Sequence, residues 1–541
     1  MHCAKLHYTC ARSLICISAT ARERSGKGEP SKPVYTVSQA LSLLAMKRAH
    51  EPSAWEACVA WVVACGGEVR GITEGSSGVR GVVVADESLV KDEVVLKIPL
   101  SCCVLREDVT RSAVGRAARD AVAAGECLVM PEKDVALAFF VARDASDASS
   151  ARAPYYATLP RAGDAAFPDL PRYWPAAHVD ALLAGSPVRG RVELMRRITR
   201  CDYDTIVATG SGDWPTFEAY DWACAMVATR SFALADGLDA LVPLADMLNH
   251  SRDRETAYGA YGAFAVWTAT RNMASGLEVH DTYGAKSNAV LLANYGFALV
   301  ANFEADGSCN EERRIELPAA RDGRVDLRMG RKADVLRTFA ACVDAMRAAA
   351  NAAAPPPDDD DAGDFPAGDF PFDGDESDGD DEESDDGGDE EAERRALWAR
   401  RLPVEIDALS ALAARLAREC RGYALRDPVA VLRGAPPPTP PATDEATWRA
   451  RVAACAALVL NEFATLCLNE LVAWRCLEVL RAPDDQAARL VAALRLDAAV
   501  TATPPADDVA KVENASSRAS AAPAALGYLQ LIGCPCVAER D

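Results

Sequence analysis

The sequence predicts an α+β chain: a strand-rich N-terminal part with helices inserted into it, followed by an all-α C-terminal part. Three observations carry this. Val82–Val84 and Glu93–Pro99 are β-branched runs beside a glycine-rich turn. Helical spacing of apolar residues dominates from about residue 120 to 232. Beyond a long acidic stretch, apolar residues recur only at helical intervals.

At 541 residues the chain is too long for one core and should hold two or three domains. Half of its residues are hydrophobic, enough for a sizeable core. The net charge of −22 is local, because 20 acidic and no basic side chains lie between Asp358 and Glu393. The remainder is close to neutral and offers no basic face, so no nucleic-acid partner is expected. No run of 18 or more uncharged apolar residues occurs, so no membrane span is expected either. The 18 cysteines form no CxxC pair, and Cys534-Pro535-Cys536 lacks Cys or His partners for zinc. No metal is therefore expected. Dispersed cysteines suit a reducing compartment, where they act as small buried hydrophobes. Residues 1–52 are poor in acids and carry Arg, Lys and Ser, a composition compatible with an organelle transit peptide or an unstructured leader. A cytoplasmic or chloroplast location follows.

In order, Trp55, Cys58, Val59, Val62 and Val63 predict a short helix over 53–65. Gly75 to Gly81 form a turn whose glycines let backbone approach a ligand closely. The two β-branched runs after it, joined through Asp86 to Asp92, read as a hairpin. Val135–Val141 is an apolar helix, Pro154 to Pro160 an aromatic connector, and Trp174-Pro175 opens the next helix. A further helix runs from about Trp214 to Ser231, with Phe217, Tyr220, Ala223, Cys224, Val227 and Arg230 recurring along it. Ile315–Leu317 is a last strand and 332–350 a helix. The Asp-, Gly- and Pro-rich stretch at 355–393 cannot bury enough apolar surface to offset ordering entropy, and reads as a self-repelling insert. Helices follow over 404–421 and from about Thr443, where Thr443-Asp444 supply an N-cap. The expected division is a leader at 1–52, a β-rich domain at 53–300 with its helical insert at about 120–232, and a connector at 301–354. The acidic insert at 355–393, a helical domain at 394–482 and a tail at 483–541 complete it.

One stretch stands out. Between Leu244 and Phe297, Asp246, Asn249, His250, Tyr283 and Tyr295 sit at the ends of apolar segments. Buried Tyr and Asn demand hydrogen-bond partners, so a chain that gathers several uses them.

Together with Gly78-Val79-Arg80-Gly81, this stretch resembles the SET-domain protein methyltransferases, in the branch typified by the Rubisco large-subunit lysine methyltransferase. The parts match in order over about Trp55 to Leu480: the GxxG turn, the strand ending Ile98-Pro99, the Pro154-Tyr155 and Leu159-Pro160 insert, and Arg230-Ser231-Phe232. Then come Asp246 to His250, Tyr283 to Asn288, Tyr295 to Phe297 and the C-terminal helices. The resemblance implies an α+β chain with a β-rich SET fold, an inserted helical subdomain and an all-α substrate-binding-type domain. It implies a protein-lysine N-methyltransferase using S-adenosylmethionine on a non-histone protein, with no nucleic acid or membrane partner and a monomeric state.

Carried over by position, Gly78, Val79 and Arg80 would offer backbone groups to the cofactor, and Arg230 would pair with its carboxylate. Asn249 and His250 would hold its adenine edge and amino-acid part, and Gly296 and Phe297 would close its pocket. Tyr283 would stand at the methyl-transfer centre. Phe232, Asp246, Tyr258 and Tyr295 would line the substrate channel. Relatives that methylate histidine carry Asn and Trp where this chain has Phe232 and Ala245, so lysine is the favoured target over histidine. A catalytically silent SET-fold interaction module is the competing class.

Overall fold

The computed structural model describes residues 52–75, 81–85, 88–123, 128–209, 213–235, 238–320, 322–329, 331–353, 387–425, 427–435 and 444–480. The chain divides into two compact units. One comprises residues up to Tyr173 with Gly190–Gly284 and Ala293–Gly296; the other comprises Trp174–Arg189, Ala285–Leu292 and Phe297 onward.

The first unit opens with helix Ala54–Ala64, started by a capping box in which Ser53 and Glu56 bond each other's backbone N–H. Trp55, Cys58 and Val62 form its buried face, as the spacing predicts. Strands β1 (Glu68–Val69), β2 (Ile72–Gly75), β3 (Gly81–Val84), β4 (Val94–Pro99) and β5 (Val104–Leu105) follow. After the inserted helices come β6 (Ser231–Ala235), β7 (Leu238–Leu241), β8 (Asn249–His250), β9 (Thr256–Tyr261), β10 (Phe264–Ala269) and β11 (His280–Asp281).

The expected hairpin between the two β-branched runs does not form. β3 pairs with β2, while β4 lies between β1 and β10 in the sheet ordered β1-β4-β10-β9. The reason is burial: Val95, Leu96 and Ile98 are fully buried, and such a strand needs ladder partners on both edges. The connector instead crosses between sheets, with Leu89 bridging to Met273. β5, β7 and β6 form a third sheet, and β8 pairs with β11 in parallel.

The insert is helical from Arg106–Thr110 and Ala113–Ala123, earlier than the expected start near 120. Its core is built where helices Glu132–Asp144 and Phe217–Arg230 meet. There Phe139 is fully buried, with its ring centre 4.3 Å from that of Tyr220.

In the second unit, helix Glu445–Leu480 packs on helix Gly387–Arg421. Asp444 caps the former, its carboxylate accepting from the backbone of Ala446 and Thr447. The buried side chains Val452, Cys455, Leu458, Val459, Phe463 and Leu466 are those the periodicity selects. Helix Gly387–Arg421 starts well before Val404, runs through Pro403, and takes in the last residues of the stretch expected to be an unstructured acidic insert. The rest of that stretch, the tail and nearly all of the leader lie outside the described residues.

Ile315 belongs to β12 (Glu312–Glu316), whose hairpin partner β13 (Arg324–Arg328) the sequence reading did not anticipate. Residues 174–189, expected in the β-rich domain, belong to this unit. Helix Ala176–Leu183 sets His178 edge-on to Trp448 at 5.0 Å, and Ala184 O accepts from Ala424 N. No helix among the described residues is long and apolar enough to cross a membrane.

Candidate active site

The site is built in the first unit, around a sharp turn. Leu244 is fully buried with φ +67 and ψ −40, and Ala245 N donates to Pro243 O at 2.8 Å. That is a γ-turn of the strained kind, in a residue with no conformational reason to favour it. It launches the short 3₁₀ turn Ala245–Met247, which turns Asp246 inward. The Asp246 side chain is completely buried. Its Oδ2 accepts from Tyr155 Oη at 3.1 Å and from Arg230 Nη1 at 3.2 Å. The same Arg230 nitrogen donates to Asp246 O at 2.8 Å. Arg230 is thus fixed at the last position of helix Phe217–Arg230, where a cation also meets the negative helix end.

Two residues on, the chain enters β8. Its parallel pairing with β11 sets Asn249 against His280 and His250 against Asp281. Asn249 Nδ2 donates to Glu278 Oε1 at 2.6 Å. A Cβ on Gly81 would fall 2.6 Å from that oxygen and 2.7 Å from Asn249 Nδ2, so glycine lets the start of β3 lie close against this pair. His250 Nδ1 accepts from Tyr283 N at 3.0 Å, which leaves the Nδ1 lone pair occupied and the proton on the other nitrogen in the neutral ring.

The aromatic rings are layered. Tyr283 stacks on His250 at 5.1 Å and on Tyr295 at 4.8 Å. The Tyr283 hydroxyl donates to Leu248 O at 3.2 Å. Burial pushes this phenol up to about 12, with Arg230 pulling it the other way. Burial, then Tyr258, pushes Tyr295 up to about 12. Both hydroxyls therefore remain protonated donors at neutral pH.

Tyr258 stacks on Trp267 at 5.2 Å, and Phe232 stands edge-on to both at 5.4 and 5.2 Å. Trp267 Nε1 donates to Asp281 Oδ2 at 2.7 Å. Burial raises the Asp281 carboxyl, and the Trp267 hydrogen bond opposes that shift. Tyr258 also borders a groove of about 350 Å³ along β9 and β10, with Tyr261, Val266 and Thr268. Gly296 ends the array with φ +84, and a Cβ there would meet the Asp169 backbone at 3.1 Å.

The structure thus gathers Phe232, Asp246, Asn249, His250, Tyr258, Tyr283 and Tyr295 in one unit, although more than sixty residues separate the first from the last. Arg230 and Asp246, which the resemblance assigned to the cofactor and the substrate channel, bond each other. Gly78, Val79 and Arg80 lie outside the described residues; only Gly81 of that turn is described. Phe297 is half-buried and falls in the second unit. Tyr155 stands in the resemblance without a role at the site, and Trp267, Glu278 and Asp281 went unnoticed in the sequence. Tyr155 alone had a signal, a tyrosine held between prolines, while the other three sit in ordinary strand and turn contexts.

No family model matches the chain. Among curated proteins it is similar to the N-lysine methyltransferase setd6 of Xenopus tropicalis, 26% identical over 278 residues, which is 46% of this chain and 56% of the relative. The human N-lysine methyltransferase SETD6 is 29% identical over 161 residues, covering 27% of this chain and 33% of the relative. The chain therefore spans little more than half the length of the first of these. Its fold matches the structure of Rubisco LSMT bound to sinefungin and monomethyllysine with a TM-score of 0.56 and 15% identity, over 86% of this chain and 100% of the other. Rubisco LSMT bound to AdoMet matches with a TM-score of 0.54 and 16% identity over the same shares.

Proposed function

The chain has the SET fold in its Rubisco LSMT-like form, and on that premise we propose that it is an S-adenosylmethionine-dependent protein-lysine N-methyltransferase acting on a non-histone protein. The observation that carries the reading is the aromatic layering of Tyr283, Tyr295, Tyr258 and Phe232 beside the β8 strand. The curated relatives named as N-lysine methyltransferases, and the neighbours holding AdoMet or monomethyllysine, support it.

The residues present fit such a cofactor. Gly81 keeps the cradle open where a Cβ would strike Glu278 and Asn249, and the Glu278 carboxylate suits a ligand rich in N–H and hydroxyl donors. Asn249, His250 and Gly296, with the backbone of Gly78, Val79 and Arg80, would hold it. Arg230 contributes by fixing the turn that leads into Asn249, in addition to its charge. When bound, S-adenosylmethionine supplies an electrophilic methyl group.

The chain's own residues do the rest. In-line displacement requires positioning more than acid–base catalysis. A lysine ammonium, with an ordinary pKa of ~10.4, must enter neutral to act as nucleophile. Walls made of Phe232, Tyr258 and Tyr295 desolvate it and lower that value. The buried Asp246 charge is already matched by Arg230, so it does not hold the amine in its ammonium form. Tyr283, protonated and anchored to Leu248 O, orients the approaching amine but cannot serve as its base at neutral pH. The proton leaves through water. Phe232 in place of a hydrogen-bonding side chain favours lysine over histidine as the target.

The deciding experiment incubates the full chain with methyl-labelled S-adenosylmethionine and a cell lysate, then maps the label. Label on lysine of a non-histone protein supports the reading. Label on histidine, or none together with no cofactor binding, sinks it in favour of the histidine-directed or silent alternative.

A further inference from the structure

Residues 277–281 carry a carboxylate between two strands of the candidate cofactor site. Val84 N donates to Leu277 O and Val279 N to Val82 O, both at 2.8 Å, and Val83 bridges Glu278. The segment thus runs first along β3. His280 and Asp281 then pair with Asn249 and His250 of β8. Alternation puts Val279 and Asp281 on the buried side and turns Glu278 and His280 to the other. Glu278 therefore stands where the strand that leaves the 78–80 turn meets the strand that carries Asn249 and His250.

Behind Glu278 the charges are matched in series. Asp253, at 2.7 Å, and Glu255 both pair with Arg271. The other Glu255 oxygen meets the backbone N–H and Nδ1 of His280, each at 2.9 Å. A carboxylate only accepts, so Nδ1 carries a proton and the ring is held at two points. Nε2, across the ring, lies 3.6 Å from Glu278 Oε2, while Glu278 Oε1 accepts from Asn249 Nδ2 at 2.6 Å. Arg271 thus answers Asp253 and Glu255, but among the described residues no Arg or Lys pairs with Glu278. Its side chain is 31% exposed, so a ligand can reach it.

Resting on the reading of the chain as an S-adenosylmethionine-dependent enzyme, we propose that Glu278 receives the α-ammonium group of the cofactor and that His280 is the positioning residue that aims it. A carboxylate without a fixed counter-charge takes a cationic N–H donor in preference to a neutral hydroxyl or amine, because charge-assisted hydrogen bonds are roughly twice as strong. His280 cannot follow the ligand, since Glu255 holds its ring nitrogen and its backbone together. It therefore sets where Glu278 Oε2 stands, as Asn249 does for Oε1.

The test is calorimetric binding of three ligands to the full chain. They are S-adenosylmethionine, S-adenosylhomocysteine, whose sulfur is neutral, and deaminated S-adenosylhomocysteine, with hydrogen in place of the ammonium. Glu278→Gln keeps an acceptor for Asn249 and removes the charge. It should weaken the first two ligands by about 10- to 100-fold, the range of one charge-assisted hydrogen bond, and leave the deaminated ligand unchanged. His280→Leu should weaken the same two by about 2- to 10-fold, and His280→Gln, which still offers an N–H, should recover most of that loss. A merely structural role for His280 would weaken all three together. Binding of the deaminated ligand also reports that each variant is folded. Losses confined to S-adenosylmethionine would assign Glu278 to the sulfonium, and equal losses on all three to the ribose or adenine. Either result, or no loss at all, overturns the inference and leaves the functional reading standing. If the unaltered chain binds none of the three, both fall.

Discussion

At the scale of single residues, the site rests on hydroxyls and charges held by identifiable partners. The Tyr283 hydroxyl has one fixed acceptor, Leu248 O, and its ring is clamped between His250 and Tyr295. Removing only that oxygen in Tyr283→Phe should leave the stack intact and lower kcat/KM for methyl transfer by roughly 10²-fold, the scale of losing one positioned donor. An unchanged rate in a labelled-methyl assay would disprove its placement at the transfer centre. Asp246 and Arg230 behave differently, because each is buried against the other. Arg230→Ala strands a fully buried carboxylate and should cost about 3–5 kcal/mol of stability, read by urea unfolding. Asp246→Asn keeps an acceptor for Tyr155 and should cost less. The conservation of shape with loss of charge separates the electrostatic role from plain packing.

Elements carry two further expectations. Gly296 ends helix Asn288–Tyr295 in a conformation that L side chains rarely adopt, against the Asp169 backbone. Gly296→Ala should therefore lower stability by about 1–3 kcal/mol and disturb Tyr295 with it, which differential scanning calorimetry and a methylation assay would both register. In helix Glu445–Leu480, Glu462 is buried with Ser186 Oγ donating to Oε1 at 3.0 Å. Burial pushes its carboxyl up to about 7, with Arg313, Tyr423 and Ser186 pulling it back. A raised acid pKa means the folded chain holds a proton that the unfolded chain releases. The stabilising effect is complete below the ordinary value of 4.5 and is lost as pH rises through about 7. The unfolding free energy read from urea curves should fall between about pH 4.5 and pH 7, by an amount of order 3 kcal/mol, and Glu462→Gln should abolish that part of the slope. Equal slopes in both proteins would contradict the assignment.

For the whole molecule, binding must appear as stability. S-adenosylmethionine or sinefungin at about 100 times its dissociation constant should add about 2.7 kcal/mol, visible as a rise in Tm. No shift at any concentration would favour a silent module. Much of the architecture was legible beforehand, because helices announce themselves locally. Trp55, Cys58 and Val62, or Val452 through Leu466, recur at helical spacing whatever surrounds them. Asp444 announced its helix by side-chain chemistry alone. The partner of β4 was illegible, since a β-branched run states that it is buried without stating against which strand. The polar residues at the ends of the Leu244–Phe297 segments were likewise conspicuous one by one.

What the sequence by itself determined, then, is the order of elements, the helical faces, and the residue types gathered for chemistry, because propensity, periodicity and capping are properties of neighbours along the chain. Tertiary structure alone decided which of those residues meet. The strained Leu244 turn aims Asp246 at Tyr155 and Arg230, which lie 91 and 16 positions away. The β8–β11 pairing brings Asn249 to Glu278, and the β9–β10 hairpin lays Tyr258 on Trp267. These are long-range pairings settled by burial and hydrogen-bond satisfaction across the whole unit, and no local pattern encodes them.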